Sequence, residues 1–192
     1  MFGRVGAIFV AIAVFLVFLV PVSSLAQVGG NTSLLTFGSG KIKVRLYSDY
    51  FCAACSRLEP QLEPIITDLV KRNIITITFV DTPAHKYSPL YAQYFLSILS
   101  DKKELAYALA VRGVLFEGAK NNIIEKEKLE AYLTEKGIRF KPFDVKPVFA
   151  ILQAYFKEDK IKATPTCVFL KNDKKESFQG VDDILKALRN LK

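Results

Sequence analysis

The chain has 192 residues (21.5 kDa), 51% hydrophobic and 24% charged, so it can bury a core and is not a disordered polymer. Ten Gly and eight Pro exclude a collagen-like or Pro-rich chain, and three Cys exclude a disulfide-dense mini-scaffold. The formal charge of +8 allows contact with anionic membrane or nucleic acid, but the intermixed Lys and Glu read as a solvated surface, and no nucleic-acid partner is expected.

Residues 1–26, MFGRVGAIFVAIAVFLVFLVPVSSLA, run from one charge at Arg4 through an uncharged stretch, Val5 to Val22, to small residues at Ser24 and Ala26. This is the order of a secretory signal peptide, with cleavage expected after Ala26. The competing reading is an uncleaved anchor, because the apolar stretch approaches bilayer-spanning length. No Cys follows it, so no lipid anchor is expected. Export makes the location periplasmic or otherwise extracytoplasmic, an oxidising compartment for all three Cys. A Cys pair there points to redox chemistry or a structural bridge rather than a metal site.

Residues 27–40 form a Gly-containing lead-in, and its Asn31-Thr32-Ser33 sequon reads as accidental. Ile42, Val44 and Leu46 alternate with Lys43, Arg45 and Tyr47, which predicts a strand. From Cys52 to about Lys71 the spacing is helical, with Leu58, Leu62, Ile65, Ile66, Leu69 and Val70 on one side. Pro60 is expected to kink this helix, and Pro64 is a second point of distortion. Ile74 to Val80 is β-branched and predicts a strand.

Asp81 to Lys160 is helical in pattern. One stripe is Leu90, Tyr91, Tyr94, Phe95, Ile98 and Leu99, and another is Val148, Ile151, Leu152, Tyr155 and Phe156. Leu129, Tyr132 and Leu133 mark a helix between them, with Asn121 or Asn122 as its expected cap. These stripes are read as packing surfaces rather than a peptide-binding face. Cys167–Leu170 and Glu176–Gln179 predict strands around a turn at residues 171–174. The last helix is expected from Val181 to Leu191, with Asp182 and Asp183 near its positive end.

The chemistry sits at Cys52-Ala53-Ala54-Cys55, which follows the first strand and opens the helix. Residues three apart on a helix share a face, within reach of a disulfide's roughly 5.5 Å Cα separation. At a helix N-terminus, free N–H groups and the macrodipole stabilise an anion. The Cys52 thiol is therefore expected to fall from about 8.5 into the range ~3.5–7.5. Cys55 lies one turn in and is expected to be more buried. This makes Cys52 the attacking thiolate and leaving group, and Cys55 the resolving thiol.

Three features resemble the thioredoxin superfamily. They are the segment VRLYSDYFCAAC, Pro60 eight residues after Cys52, and Ala163-Thr164-Pro165-Thr166 entering a late strand. The resemblance implies an α/β, thioredoxin-like fold, a central mixed sheet flanked by helices. Residues 41–82 and 161–192 would supply its core, and residues 83–160 would be a helical insertion. With the signal peptide, that insertion looks like the DsbA-like branch. In the family the late proline is cis beside the CxxC, and the preceding residue pairs with substrate backbone. The resemblance carries these substrate-binding roles onto Pro165 and Thr164, with an ordinary trans proline as the alternative.

Departures from the family pattern are also visible. Ala-Ala stands where DsbA-type oxidases commonly carry Pro-His. It gives a thiolate no side-chain donor or charge, so a less oxidising potential is open. The family's buried carboxylate, six residues before the first Cys, is Leu46 here. Asp49, Glu59 and Glu63 are nearby but expected at the surface, which leaves water to transfer protons. Tyr50 and Phe51 are expected to pack or to line a peptide groove. Cys167 is read as a small buried hydrophobe, with a mixed disulfide as the alternative. A zinc site of Cys52, Cys55, Cys167 and His85 lacks a second close ligand pair, so no metal is expected. His85 is expected at the surface.

The resemblance implies a thiol–disulfide oxidoreductase that exchanges disulfides with cysteine-containing protein substrates, foremost as a DsbA-like oxidase. It requires no organic cofactor, but it does require a membrane redox partner, either a quinone-linked oxidase or an electron donor. Isomerases of the family carry an N-terminal dimerisation domain, for which the lead-in is too short. The alternatives are a thioredoxin-like reductase and a redox-inert peptide-binding protein with a structural Cys52–Cys55 bridge.

Overall fold

The computed structural model describes residues 32–191. The expected signal peptide at 1–26 lies outside the described residues. A 3₁₀ turn (Thr32–Leu35) leads into a two-residue strand, β1 (Thr36–Phe37). In β2 (Ile42–Ser48) the expected alternation holds as far as Leu46, with Ile42, Val44 and Leu46 buried, Lys43 exposed and Arg45 half-buried, but Tyr47 is buried too, because the sheet is covered on both faces at that end. Then follow α1 (Ala53–Lys71), β3 (Ile75–Asp81), four helices, α2 (Ser88–Leu99), α3 (Leu105–Lys120), α4 (Lys126–Glu135) and α5 (Lys146–Glu158), then β4 (Thr166–Lys171), β5 (Lys174–Gln179) and α6 (Val181–Arg189).

The strands form one mixed sheet, in the order β1-β3-β2-β4-β5. Among the described residues only β2 and β3 run parallel, because α1 crosses between them. Since they are parallel, both end at the same side of the sheet, and the antiparallel β4 begins there. Ser48 stands opposite Asp81, and Tyr47 opposite Thr166. This end carries the CxxC motif and the late proline.

Neither proline ends α1. Pro60 and Pro64 each remove one backbone donor, while Leu58, Leu62, Ile66 and Leu69 are buried and hold the helix in place. Apolar burial along that face outweighs the missing bonds. α1 packs against both α3 and α6. In α2, Tyr91, Tyr94, Phe95, Ile98 and Leu99 are buried, so that stripe is core. In α5, Val148, Ile151 and Leu152 are buried, but Phe156 is exposed.

Two local expectations are corrected. Asn121 and Asn122 do not cap α4. Asn121 closes α3, and Asn122 turns left-handed after it (φ 54°), a conformation that Asn tolerates at a helix end. The last hairpin is tighter than a four-residue turn. Lys171 and Lys174 pair with each other, and Asn172 and Asp173 make the loop with φ of 49° and 60°. Two consecutive left-handed residues match the twist of the flanking strands.

Candidate dithiol site

The backbone turns sharply between β2 and α1. The Cys52 N–H donates to the Asp49 carbonyl at 3.1 Å, and the Phe51 N–H donates to Asp49 Oδ1 at 2.8 Å. Cys52 is the N-cap of α1 and not its first residue. Its backbone is extended, and its sulfur accepts the Cys55 N–H at 3.4 Å. Cys52 is partly exposed, whereas Cys55 is 1% exposed. Both are free thiols. The Thr164–Pro165 bond is cis, and the Cys52 thiol donates to the Thr164 carbonyl at 3.4 Å. The loop before β4 therefore sits directly against the N-terminus of α1.

The two thiols are displaced in opposite directions. Burial works against ionisation of Cys52, but hydrogen bonds from the Thr164 and Cys55 side chains and from the Cys55 and Ala54 backbone outweigh it. The Cys52 thiol lies below the ordinary thiol value. Burial pushes the Cys55 thiol up to about 12, reinforced by its hydrogen bond to Cys52 and only partly offset by the Asp49 backbone and Thr164. Cys167 is fully buried, and burial alone pushes its thiol upward.

Beneath the motif lies a polar cluster that the sequence does not announce. Of the three carboxylates expected at the surface, only Glu63 is exposed; Glu59 and Asp49 are buried. Glu59 follows Cys55 by one turn of α1 and meets Arg112 of α3, a fully buried guanidinium. Arg112 Nε donates to Glu59 Oε1 at 2.6 Å and Nη2 to Oε2 at 3.0 Å, a bidentate pair. Its remaining donors reach Asp81 Oδ1 at 3.0 Å and Ser48 Oγ at 2.8 Å, and the Tyr50 hydroxyl donates to Asp81 Oδ2 at 3.2 Å. Two carboxylates thus share one guanidinium. Burial raises Asp81, and the Arg112 charge and hydrogen bonds offset this only in part. The available hint was a lone Arg inside the apolar run of α3, LAYALAVRGVLF.

Asp49 anchors a second contact set. Its carboxylate takes the N–H groups of Phe51 and Ala84 at 2.8 Å, the His85 N–H at 3.2 Å, the Ser88 hydroxyl at 2.7 Å and His85 Nδ1 at 3.0 Å. His85 is at the surface as expected, but its ring is tied to the turn that presents Cys52. Tyr50 packs on Tyr91 and Phe116, whereas the partly exposed Phe51 lies tilted against Tyr87 and edge-on to the buried Tyr91.

A third set fixes the loop that carries Thr164. Asp159, at the end of α5, accepts from Arg45 and Tyr47 of β2 and from Lys175 of β5. Arg45 also stacks 3.7 Å over the Tyr155 ring. An apolar groove of about 530 Å³ opens nearby, lined by Asp81, Pro83 and Ala84 on one side and by Phe149 and Phe156 on the other. Among the described residues, no cluster of three or more His, Cys, Asp and Glu is arranged for a metal, and no helix is long and apolar enough to cross a membrane.

The family model described as Thioredoxin matches residues 38–190. Solved structures share the fold. A candidate protein-disulfide isomerase from Pseudomonas syringae superposes with a TM-score of 0.67 at 13% identity, covering 83% of this chain and 98% of its own. Wolbachia pipientis alpha-DsbA1 gives 0.62 at 14% identity, covering 82% and 89%. A periplasmic thioredoxin-like protein from Salmonella enterica serovar Typhimurium gives 0.58 at 17%, covering 80% and 86%. No curated protein matches the chain in sequence.

Proposed function

The chain belongs to the thioredoxin family, and from that premise we propose that it is an extracytoplasmic thiol–disulfide oxidoreductase acting on cysteine-containing proteins, foremost as a DsbA-like oxidase. The observation that carries this reading is the split between the two thiols. Cys52 is partly exposed with a lowered pKa, Cys55 is buried with a raised one, and Thr164 beside the cis proline touches Cys52. A purely structural bridge has no use for one accessible thiolate. The order of residues 1–26 supports export.

In the oxidising direction a substrate thiolate attacks Cys52 Sγ of the Cys52–Cys55 disulfide. The S–S bond breaks, its electron pair leaves on Cys55, and a mixed disulfide forms on Cys52. Cys55 is a poor leaving group as an anion, so a proton must reach it. The Glu59–Arg112–Asp81 cluster, with one more carboxylate than guanidinium, is the store that supplies it, and Asp81 borders the groove through which protons exchange. A second substrate thiolate then attacks the substrate sulfur and releases Cys52, a good leaving group because its thiol is acidic. The substrate dithiol becomes a disulfide, and a membrane redox partner reoxidises the pair. Thr164 and Pro165 hold the substrate backbone beside Cys52.

Cys55→Ser tests this cycle. It should accumulate mixed disulfides with clients on Cys52, and Cys52→Ser should accumulate none. A pair that resists mild reductant, with peptide binding unchanged in Cys52→Ser, supports the redox-inert reading instead. Equilibration with glutathione sets the direction: a potential near or above roughly −180 mV makes the protein an oxidant, and one near roughly −270 mV a reductant.

A further inference from the structure

His85 is the only histidine in the chain, and its position is built rather than incidental. The Asp49 side chain has no exposed surface, and its oxygens accept from three backbone N–H groups and the Ser88 hydroxyl. An oxygen pair occupied by that many donors acts as an acceptor toward the ring as well. The 3.0 Å contact at Nδ1 is therefore an Nδ1–H donating to Asp49 Oδ1. In the neutral ring this leaves Nε2 with its lone pair. The imidazole is half-exposed, so the ring is open to solvent while Nδ1 is held by Asp49.

The same Asp49 that orients this ring accepts the Cys52 N–H on its own carbonyl. The ring and the turn of the partly exposed thiol, on two separate loops, are thus tied to one residue. Asp49 is the charged group against the imidazole. Ser88 approaches the same carboxylate from α2. On the ring's own loop, Lys86 places its ammonium 5.2 Å from the centre of the Tyr87 ring, and that ring meets Phe51, the neighbour of Cys52.

We propose that His85 is a catalytic base, oriented by Asp49, that deprotonates the incoming substrate thiol. This rests on the exchange reaction proposed above. The substrate S–H proton passes to Nε2. The resulting thiolate attacks Cys52 Sγ, and the electron pair of the Cys52–Cys55 bond leaves on Cys55. The imidazolium then returns its proton to water. Only thiolates attack disulfides, and an ordinary cysteine is mostly protonated at neutral pH. A base tied through Asp49 to the turn that presents Cys52 answers that limit, and Ala53 and Ala54 between the cysteines supply none.

The test follows the single-turnover oxidation of an unstructured peptide with two cysteines by the oxidised protein, across pH. His85→Asn keeps an N–H donor for Asp49 and removes the titrating ring. It should slow peptide oxidation roughly 10-fold or more and abolish the acid limb of the pH–rate profile, with the Cys52/Cys55 potential unchanged. His85→Ala should be slowed likewise, with added imidazole restoring the rate. If both variants match the wild type in rate and pH profile, the base role is overturned and the exchange reaction stands. A wild-type protein that oxidises no peptide overturns both.

Discussion

Cys55 and Glu59 stand one turn apart on the buried face of α1, a thiol pushed up by burial above a carboxylate clamped by Arg112. Glu59 shares one rigid helix with the thiol that needs a proton, and Arg112 and Asp81 join it from α3 and β3. Glu59→Gln should keep the fold, because a Gln oxygen still accepts from Arg112. It should slow client release and capture about 10-fold at neutral pH, the size expected when one proton-transfer group is lost. Stopped-flow oxidation of a dithiol peptide measures this.

Arg112 has the opposite character. It is the one guanidinium shared by two buried carboxylates, so removing it leaves both without a counter-charge. Arg112→Met should destabilise the protein by about 3–5 kcal/mol, read from the urea midpoint. Arg112→Lys should recover only part of this, since an ammonium cannot reproduce the bidentate fork.

Thr164→Val removes the hydroxyl that helps hold the Cys52 sulfur as an anion and leaves the carbonyl in place. The Cys52 thiol should then titrate closer to an ordinary cysteine, measured by thiolate absorbance near 240 nm. Alkylation should modify Cys52 first and leave Cys55 and Cys167 unmodified in the folded protein, because burial holds both as thiols.

The reduced protein should have a stability maximum in pH. Cys52 is an acid with a lowered folded pKa, so its contribution grows as pH rises through that value and is complete above about 8.5, where the unfolded thiol ionises. Cys55 is an acid with a raised folded pKa. The folded state keeps its proton after the unfolded state has lost it, so stability falls between about 8.5 and about 12. Chemical denaturation of the reduced form over this range checks both slopes.

Asp159 gives a third titration, with the same sign as Cys52 but at acid pH. Burial raises its carboxyl, but bonds from Lys175, Tyr47 and Arg45 outweigh this and hold it below the usual range. Its stabilisation is present above about pH 4 and is lost as pH falls through the folded value. Asp159→Asn should flatten the acid side of the stability curve. It should also weaken the tie between α5 and β2, which sets the start of the loop leading to Thr164.

The local signals survive into the structure because each is written in a few neighbouring residues. The alternation of Ile42 to Leu46, the β-branched run at Ile75 and the helical spacing after Cys52 each fix an element without help from afar. Asp49 and Glu59 are different. Each looks like a polar residue beside a turn or on a helix, and burial depends on partners that arrive from the loop at Ala84 and His85, from the start of α2 and from α3. Nothing in the sequence pairs Glu59 with Arg112, 53 positions away. The geometry of the sheet end, where Ser48 and Asp81 meet, brings them together.

At the far side of the sheet, β5 is the outermost strand, and its residues Lys174, Lys175, Glu176 and Ser177 are all exposed. An unpaired strand edge is a template for any extended chain that passes. A protein whose proposed clients arrive before they have folded meets such chains constantly. Closely spaced charges along that border make the addition of a sixth strand unfavourable, so in the proposed cycle clients would be held by a transient covalent bond at one end of the sheet and not recruited into aggregates along its side.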